Sequence, residues 1–325
     1  MGEQAEQSLV ESSLHGDLPP GTELPRIGRM SLGPLPTGFS LHRTAMSHGW
    51  CALAPTAYDE QRRVLHRTVD LPDAGPLTIS VGQGRDGRVM ATWGRVKGSC
   101  DDRIAIKAQA RHMLALDTDL GELHAVCRTR PDLAWVAECD AGRLLRSPTV
   151  FEDLAKTLAT TNCSWALTTI MCRRLVDSLG AEGPAGERAF PTPAAVAAAG
   201  EPHLVDVVRA GYRARAFVEL GERVRSGAID ADRWFDPAVD DADVLTEITS
   251  LRGFGPYASE GMLGLLGRPR GLAIDSWVRS KLPRLLGKKS MTDKQIAARY
   301  KGLGRWAGAG LWLELTRDWH DPTPD

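Results

Sequence analysis

The stretch Leu251-Arg252-Gly253-Phe254-Gly255-Pro256-Tyr257, followed by Asp275 twenty residues after Gly255, decides how this chain is read. Ahead of it, Asp240–Ser250 carries apolar residues at helical spacing, Val244, Leu245 and Ile248, with Leu251 continuing the series. Glycine accepts positive φ at no steric cost, so Gly253 and Gly255 predict a very tight turn. Pro256 fits the first position of a new helix, where its missing N–H costs nothing. Tyr257–Leu266 is apolar again at Met262, Leu263, Leu265 and Leu266, and Gly267 is a natural stop. The expectation is helix, glycine hairpin, helix over about 240–267. The N–H groups left unpaired at the second helix's start suit a phosphate. Beyond Arg268-Pro269-Arg270-Gly271, the run Leu272-Ala273-Ile274 ends in Asp275, an acid able to cap the next helix.

This L-x-G-F-G-x-Y…I-D-x-W arrangement resembles the helix-hairpin-helix (HhH-GPD) DNA glycosylase superfamily, which includes 3-methyladenine glycosylase II, 8-oxoguanine glycosylase and endonuclease III. The resemblance implies that Arg252, Gly253, Phe254 and Gly255 grip DNA phosphate and that Asp275 serves the chemistry. It also implies a monovalent cation at the hairpin carbonyls. Further likeness lies in Phe190-Pro191-Thr192-Pro193, in Gly211-Tyr212-Arg213-Ala214-Arg215, and in the ending Arg305-Trp306…Leu311-Trp312. It runs from about Phe39 to Trp319 and is strongest over 148–319.

A chain of 325 residues suffices for two or three units with real cores. No apolar run approaches the length of a membrane helix, and no secretory signal is visible. The six cysteines, Cys51, Cys100, Cys127, Cys139, Cys163 and Cys172, form no C-x-x-C pair, so neither a disulfide framework nor a metal site is expected. The expected compartment is a reducing cytoplasm, with the protein at the nucleoid. No cysteine follows residue 172, so the iron–sulfur loop of endonuclease III is absent and no cluster is expected. Net charge is −1, which alone argues against a strong nucleic-acid binder. Its distribution argues the other way: residues 251–305 hold twelve Lys and Arg against Glu260, Asp275 and Asp293. A solvated basic face is the plain alternative.

Residues 1–37 are polar and rich in Gly, Pro, Ser and Glu, and read as a flexible or irregular segment. Partial or clean alternation at 39–45, 63–69, 77–81 and 88–93, with turns between, predicts an antiparallel β domain of four or five strands over about 38–101. It resembles the β domain of the 3-methyladenine and 8-oxoguanine branches, which endonuclease III lacks. Between strands, Ser47-His48-Gly49-Trp50 reads better as a turn with a packed tryptophan than as a substrate contact. From Asp102 the pattern is helical, giving an α+β fold, mostly helical behind a sheet. Helical units are expected over 102–147 plus 276–325 and, between them, over 148–275.

One break in that pattern stands out. Thr160-Thr161-Asn162-Cys163-Ser164-Trp165 places a polar run between two apolar helices. In the resembled family this loop faces DNA, and an asparagine in the 8-oxoguanine branch fills the gap left by the extruded base. Asn162 matches that place, although asparagine also caps helices routinely. Trp165 either stacks on a base or packs in the core. Tyr212 either lines the base pocket or is buried between helices.

The chemistry follows from the reaction type. Breaking an N-glycosidic bond passes through positive charge on the sugar, which a carboxylate stabilises while it orients water. Asp275 is the acid in the family position, where it can also serve as an N-cap; Glu260, the second acid near the hairpin, reads as structural. Bifunctional members of the family place a lysine where this chain has Tyr257, so a hydrolytic, monofunctional enzyme is expected. An aromatic there can stack on the extruded base. The expected partner is double-stranded DNA containing a damaged base, bound by a monomer. The rivals are a hairpin DNA-binding protein without chemistry, and a glycosylase/lyase using another lysine such as Lys281.

Overall fold

The computed structural model describes residues 28–94 and 99–320. Residues 1–27 of the expected N-terminal segment, 95–98 of the expected β domain and 321–325 of the expected last helical unit lie outside the described residues.

The sheet has five antiparallel strands, β1 (Gly28–Ser31), β2 (Thr56–Asp59), β3 (Val64–Leu71), β4 (Gly75–Gln83) and β5 (Val89–Trp93), in spatial order β1-β5-β4-β3-β2. Its registers pair Leu65 with Val81 and Val81 with Ala91, which lines these buried side chains along one face. Three strands fall where alternation placed them. Two differences have definite causes. Residues 39–45, expected as a strand, form the short helix α1 (Leu41–Ala45), because Ser40 caps it by accepting the Arg43 N–H and Leu41, Thr44 and Ala45 share one buried face. Residues 28–31, expected as irregular, form β1 by pairing with β5, a contact between distant segments that local spacing cannot reveal.

The remainder is helical: α2 (Cys100–Met113), α3 (Gly121–Arg128), α4 (Ala134–Glu138), α5 (Val150–Thr160), α6 (Trp165–Leu179), α7 (Pro193–Asp206), α8 (Ala214–Arg225), α9 (Asp241–Thr249), α10 (Pro256–Leu265), α11 (Ser276–Leu285), α12 (Asp293–Tyr300) and α13 (Ala307–Leu315). α7 is kinked at Gly200, whose φ is +71°. α5 is the central element. Every residue from Val150 to Ala159 is buried, and α6, α8 and α10 pack around it. The sheet, α5 and the helices around it share one apolar core that includes Leu65, Ile79, Leu154, Leu158, Phe217 and Met262. A second core, with Leu123, Trp135, Leu282, Tyr300 and Leu311, joins α3, α4 and α11–α13.

Burial fixes three imidazoles in the neutral form. His48 donates from Nε2 to the Leu145 carbonyl at 2.7 Å, and His112 meets the Phe235 ring edge-on at 5.1 Å. Burial pushes His48, His112 and His320 each down to about 4, with the Lys156, Arg146 and Arg43 charges adding to it respectively. Each folded-state value lies below that of the unfolded chain, near 6.5. Above that pH both states are neutral; as pH falls toward 4 only the unfolded chain takes up the protons, so stability is lost. Urea unfolding between pH 7 and about 5 should show stability falling by up to about 1 kcal/mol per pH unit for each histidine. His48→Gln should remove one of the three contributions to that slope.

Candidate active site and nucleic-acid interface

The hairpin forms as expected, but its two glycines do different work. Gly253 has φ +90°, and a Cβ there would lie 2.5 Å from Leu158 Cδ1 of α5. Both conformation and close approach therefore require glycine. Gly255 has φ −81° and ψ −177°, which any residue adopts, so the expectation of two left-handed glycines is corrected. What Gly255 provides is openness: nothing lies within 4 Å of its missing Cβ. It is the N-cap of α10 without a side-chain cap, and Pro256 follows, so the first N–H groups of α10 face outward unshielded. The Phe254 side chain is 3% exposed and anchors the turn in the core, leaving only its backbone for phosphate. Arg252 differs from expectation as well. Its Nε donates to Glu219 Oε2 of α8 at 2.7 Å, so the side chain is tied across to a neighbouring helix. Of the hairpin carbonyls, Ser250's faces Arg223 at 3.4 Å and Leu251's accepts the Phe254 N–H at 3.1 Å.

Gly253→Val should therefore act twice. Forcing a branched residue into the left-handed region and against Leu158 should destabilise the fold by about 1–3 kcal/mol. Duplex binding should weaken alike for all sequences, read by fluorescence anisotropy. Unchanged affinity in a folded variant would remove the hairpin from the interface.

Asp275 is the N-cap of α11, its Oδ1 accepting the Val278 N–H at 2.8 Å. Capping orients the carboxylate and sets it at the positive end of a helix. Tyr257, on the first turn of α10, lies within electrostatic range of it. Burial pushes the Tyr257 hydroxyl up to about 12, and the Asp275 carboxylate adds to the effect. The phenol thus stays protonated at working pH, a neutral ring that is 39% exposed. Just past Asp275, Trp277, Trp312 and Trp319 form a cluster with centroids 5.7–5.9 Å apart. Trp312 is fixed to the sheet side by its Nε1–H donating to the Ser47 carbonyl at 2.8 Å. Lys281 Nζ lies 5.1 Å and 5.4 Å from the Trp277 and Trp319 rings and pairs with Asp318 at 3.2 Å. Its ammonium is engaged by two ring faces and a carboxylate.

The polar loop between α5 and α6 is held from below. Asn162 has φ +44°, a conformation asparagine tolerates, and its side chain is exposed. Arg213, 7% exposed, donates to the Thr161 carbonyl through Nε at 3.0 Å and through NH2, and to the Asn162 carbonyl at 2.9 Å. The guanidinium thus fixes the backbone that projects Asn162. Tyr212, open to either reading from sequence, is 69% exposed with its ring over Arg213 at 4.5 Å. Trp165 is 46% exposed and packs over Gly49, where a Cβ would lie 2.2 Å from its ring. His48 and Trp50 beneath it are buried, Trp50 Nε1 donating to Asp153 at 2.8 Å, which matches the packed reading. Arg213, Trp277 and Trp312 stand in stretches that carry the resemblance, but sequence alone assigns them no role of their own. Their only local sign is basic or aromatic character beside the candidate site residues.

The basic excess of 251–305 divides evenly. Arg252, Arg268, Arg270, Arg279, Lys281 and Arg299 pair with acids. Arg284, Lys288, Lys289, Lys294, Lys301 and Arg305 have no acidic partner among the described residues and are exposed. Among those residues, too, no group of three or more His, Cys, Asp or Glu side chains is placed to hold a metal, and no helix is long and apolar enough to cross a membrane.

No protein-family model and no curated protein sequence matches the chain. Solved structures do. A 3-methyladenine DNA-glycosylase from Archaeoglobus fulgidus superposes with TM-score 0.61 at 20% identity, covering 88% of this chain and 97% of that one. MBOgg1, in complex with a low-affinity DNA ligand, gives TM-score 0.66 at 17% identity, with 91% and 98% covered. The apo 8-oxoguanine glycosylase/lyase of Clostridium acetobutylicum gives 0.66 at 17% identity, with 86% and 93% covered. The chain thus has the α+β fold of the HhH-GPD glycosylases, and these structural neighbours span both branches that its sequence resembles.

Proposed function

We propose that this chain is a monofunctional DNA glycosylase that flips a damaged base, an alkylated or otherwise modified purine, out of duplex DNA and hydrolyses its N-glycosidic bond. The observation that carries the reading is Asp275: a carboxylate locked by an N-cap bond, within electrostatic range of an exposed aromatic on the helix that the hairpin begins. In this reading the open N-terminus of α10 binds a phosphate, and Asn162 on its Arg213-braced loop enters the space the base leaves. The base stacks against Tyr257, with Trp165 and Tyr212 exposed at the rim; such stacking contributes about 1–3 kcal/mol per base. As the C1′–N bond lengthens, its electron pair leaves with the base and positive charge grows on the sugar. The Asp275 carboxylate stabilises that charge and orients the water that adds to C1′. The product is an abasic site with an intact strand.

Water is the nucleophile in this reading because the position of the family's lysine holds Tyr257, and Lys281 is engaged by Trp277, Trp319 and Asp318. A panel of duplexes bearing alkylated, oxidised or deaminated bases, scored for abasic sites, tests the enzyme reading; no release from any duplex would leave only a DNA-binding hairpin protein. Borohydride reduction during turnover should trap no covalent protein–DNA adduct. An adduct lost in Lys281→Gln would make the enzyme a glycosylase/lyase.

A further inference from the structure

Asp275 sits on a loop that must bridge two separately packed bodies. α10, which the hairpin begins, contributes Ala258, Met262 and Leu263 to the first core. α11, which Asp275 caps, contributes Val278 and Leu282 to the second. Residues 266–275 run between them. At the start of that run Arg268 is 8% exposed and donates to the carbonyls of Trp234 and Val239, at 2.8 and 2.7 Å, and to that of Asp236. At its end Leu272 and Ile274 pack on the second core. Midway, Gly271 is enclosed from both sides. A Cβ on it would lie 2.0 Å from the Glu260 carboxyl carbon, and a Cβ on Gly308 of α13 would lie 2.1 Å from the Gly271 carbonyl oxygen. Glu260 belongs to a helix of the first core and Gly308 to a helix of the second, and α10 and α13 touch. One carboxylate oxygen of Glu260 is buried with no hydrogen-bond partner. That oxygen has thus given up water to lie against the loop, and no step proposed above uses the side chain.

We propose that Glu260 is a positioning residue: wedged against Gly271, which is backed by Gly308, it sets where Asp275 stands relative to the hairpin. The inference rests on the glycosylase reading for its catalytic consequence but not for its structural one. The loop can approach α13 and Glu260 this closely only because both Gly271 and Gly308 lack a Cβ. Glu260→Ala removes the wedge without touching Asp275, Tyr257 or the hairpin backbone. Glu260→Gln keeps its size and one acceptor oxygen.

Three readouts test this. Single-turnover base release should fall about 30- to 100-fold in Glu260→Ala, the scale of a misplacement of about 1 Å, with affinity for the lesion duplex unchanged. Glu260→Gln should recover most of the rate. In an Asp275→Asn background, Glu260→Ala should cause no further loss, because it acts only through that carboxylate. Amide exchange provides a readout without catalysis: in Glu260→Ala the segment 269–279, including the Val278 N–H that Asp275 accepts, should exchange about tenfold faster while 250–258 stays protected. Losses that add in the double variant, or an unchanged rate and unchanged exchange, would overturn the proposal. Faster exchange confined to 269–279 in a protein that releases no base from any duplex would uphold the positioning and refute the glycosylase reading instead.

Discussion

Asp275→Asn should lower single-turnover base release by about 10²–10⁴-fold, the range for removing a positioned carboxylate from this kind of step. The substitution is informative because of what it retains. Asn is as good an N-cap as Asp, and its side-chain oxygen can still accept the Val278 N–H that Asp275 accepts at 2.8 Å. The start of α11 and the tryptophans beyond it should therefore keep their places, and the unfolding midpoint should barely move. Only the negative charge proposed to act on the sugar is lost. Asp275→Ala, by contrast, removes both charge and cap and should also cost about 1 kcal/mol of stability. Binding to a lesion duplex should survive in Asn, because the N–H groups proposed to hold phosphate lie on α10. An Asn variant with near-normal turnover would move the chemistry away from residue 275.

How much of this was legible in the sequence follows from the range of each interaction. The hairpin could be read because its devices are local: a left-handed glycine, a proline at N1 and a capping aspartate each act within a few residues. Tyr257 in the lysine's place could be read by counting. The Asn162 loop could be read because polar residues interrupt two apolar helices. The braces behind these features could not. Arg213 reaches Thr161 across 52 positions, Arg252 reaches Glu219 across 33, and Glu260 meets a glycine whose neighbour is 37 residues further on. In each case the residue type is ordinary for an exposed helix face, and only the tertiary fold reveals its partner. The same limit explains β1, whose pairing with β5 spans most of the sheet's sequence; α1 differs for a local reason, a serine cap that overrode a partial alternation. Arg252 was assigned by its neighbours in sequence, and its neighbour in space is a carboxylate.

The other large effect is expected far from the hairpin, where the sheet meets α5. Arg67 of β3 donates to both Glu152 oxygens, at 2.7 and 2.5 Å, Lys156 lies 2.7 Å from the same carboxylate, and these side chains are 1–2% exposed. Burial alone would push Glu152 up, but the charges of Arg67 and Lys156 and their hydrogen bonds together hold it below the ordinary carboxylate range. Its folded-state pKa is depressed, so its contribution is complete above the unfolded value and is lost as pH falls. Removing the acid leaves two cations facing each other without water. Glu152→Leu should therefore destabilise the protein by about 3–5 kcal/mol, seen as a large fall in the urea midpoint at pH 7. Exchanging the group as a whole, with Arg67→Met, Glu152→Leu and Lys156→Met together, should restore most of that loss, because an apolar set of similar volume needs no compensation for desolvation. The triple variant should also bind lesion duplex normally. α5 ends in the loop that carries Asn162, so what the loop needs from this junction is a fixed helix rather than its charge. A single variant that loses less than about 1 kcal/mol would mean that water or relaxation reaches the site. A triple variant as unstable as the single would mean that the three charges position the sheet on α5 in a way packing cannot replace.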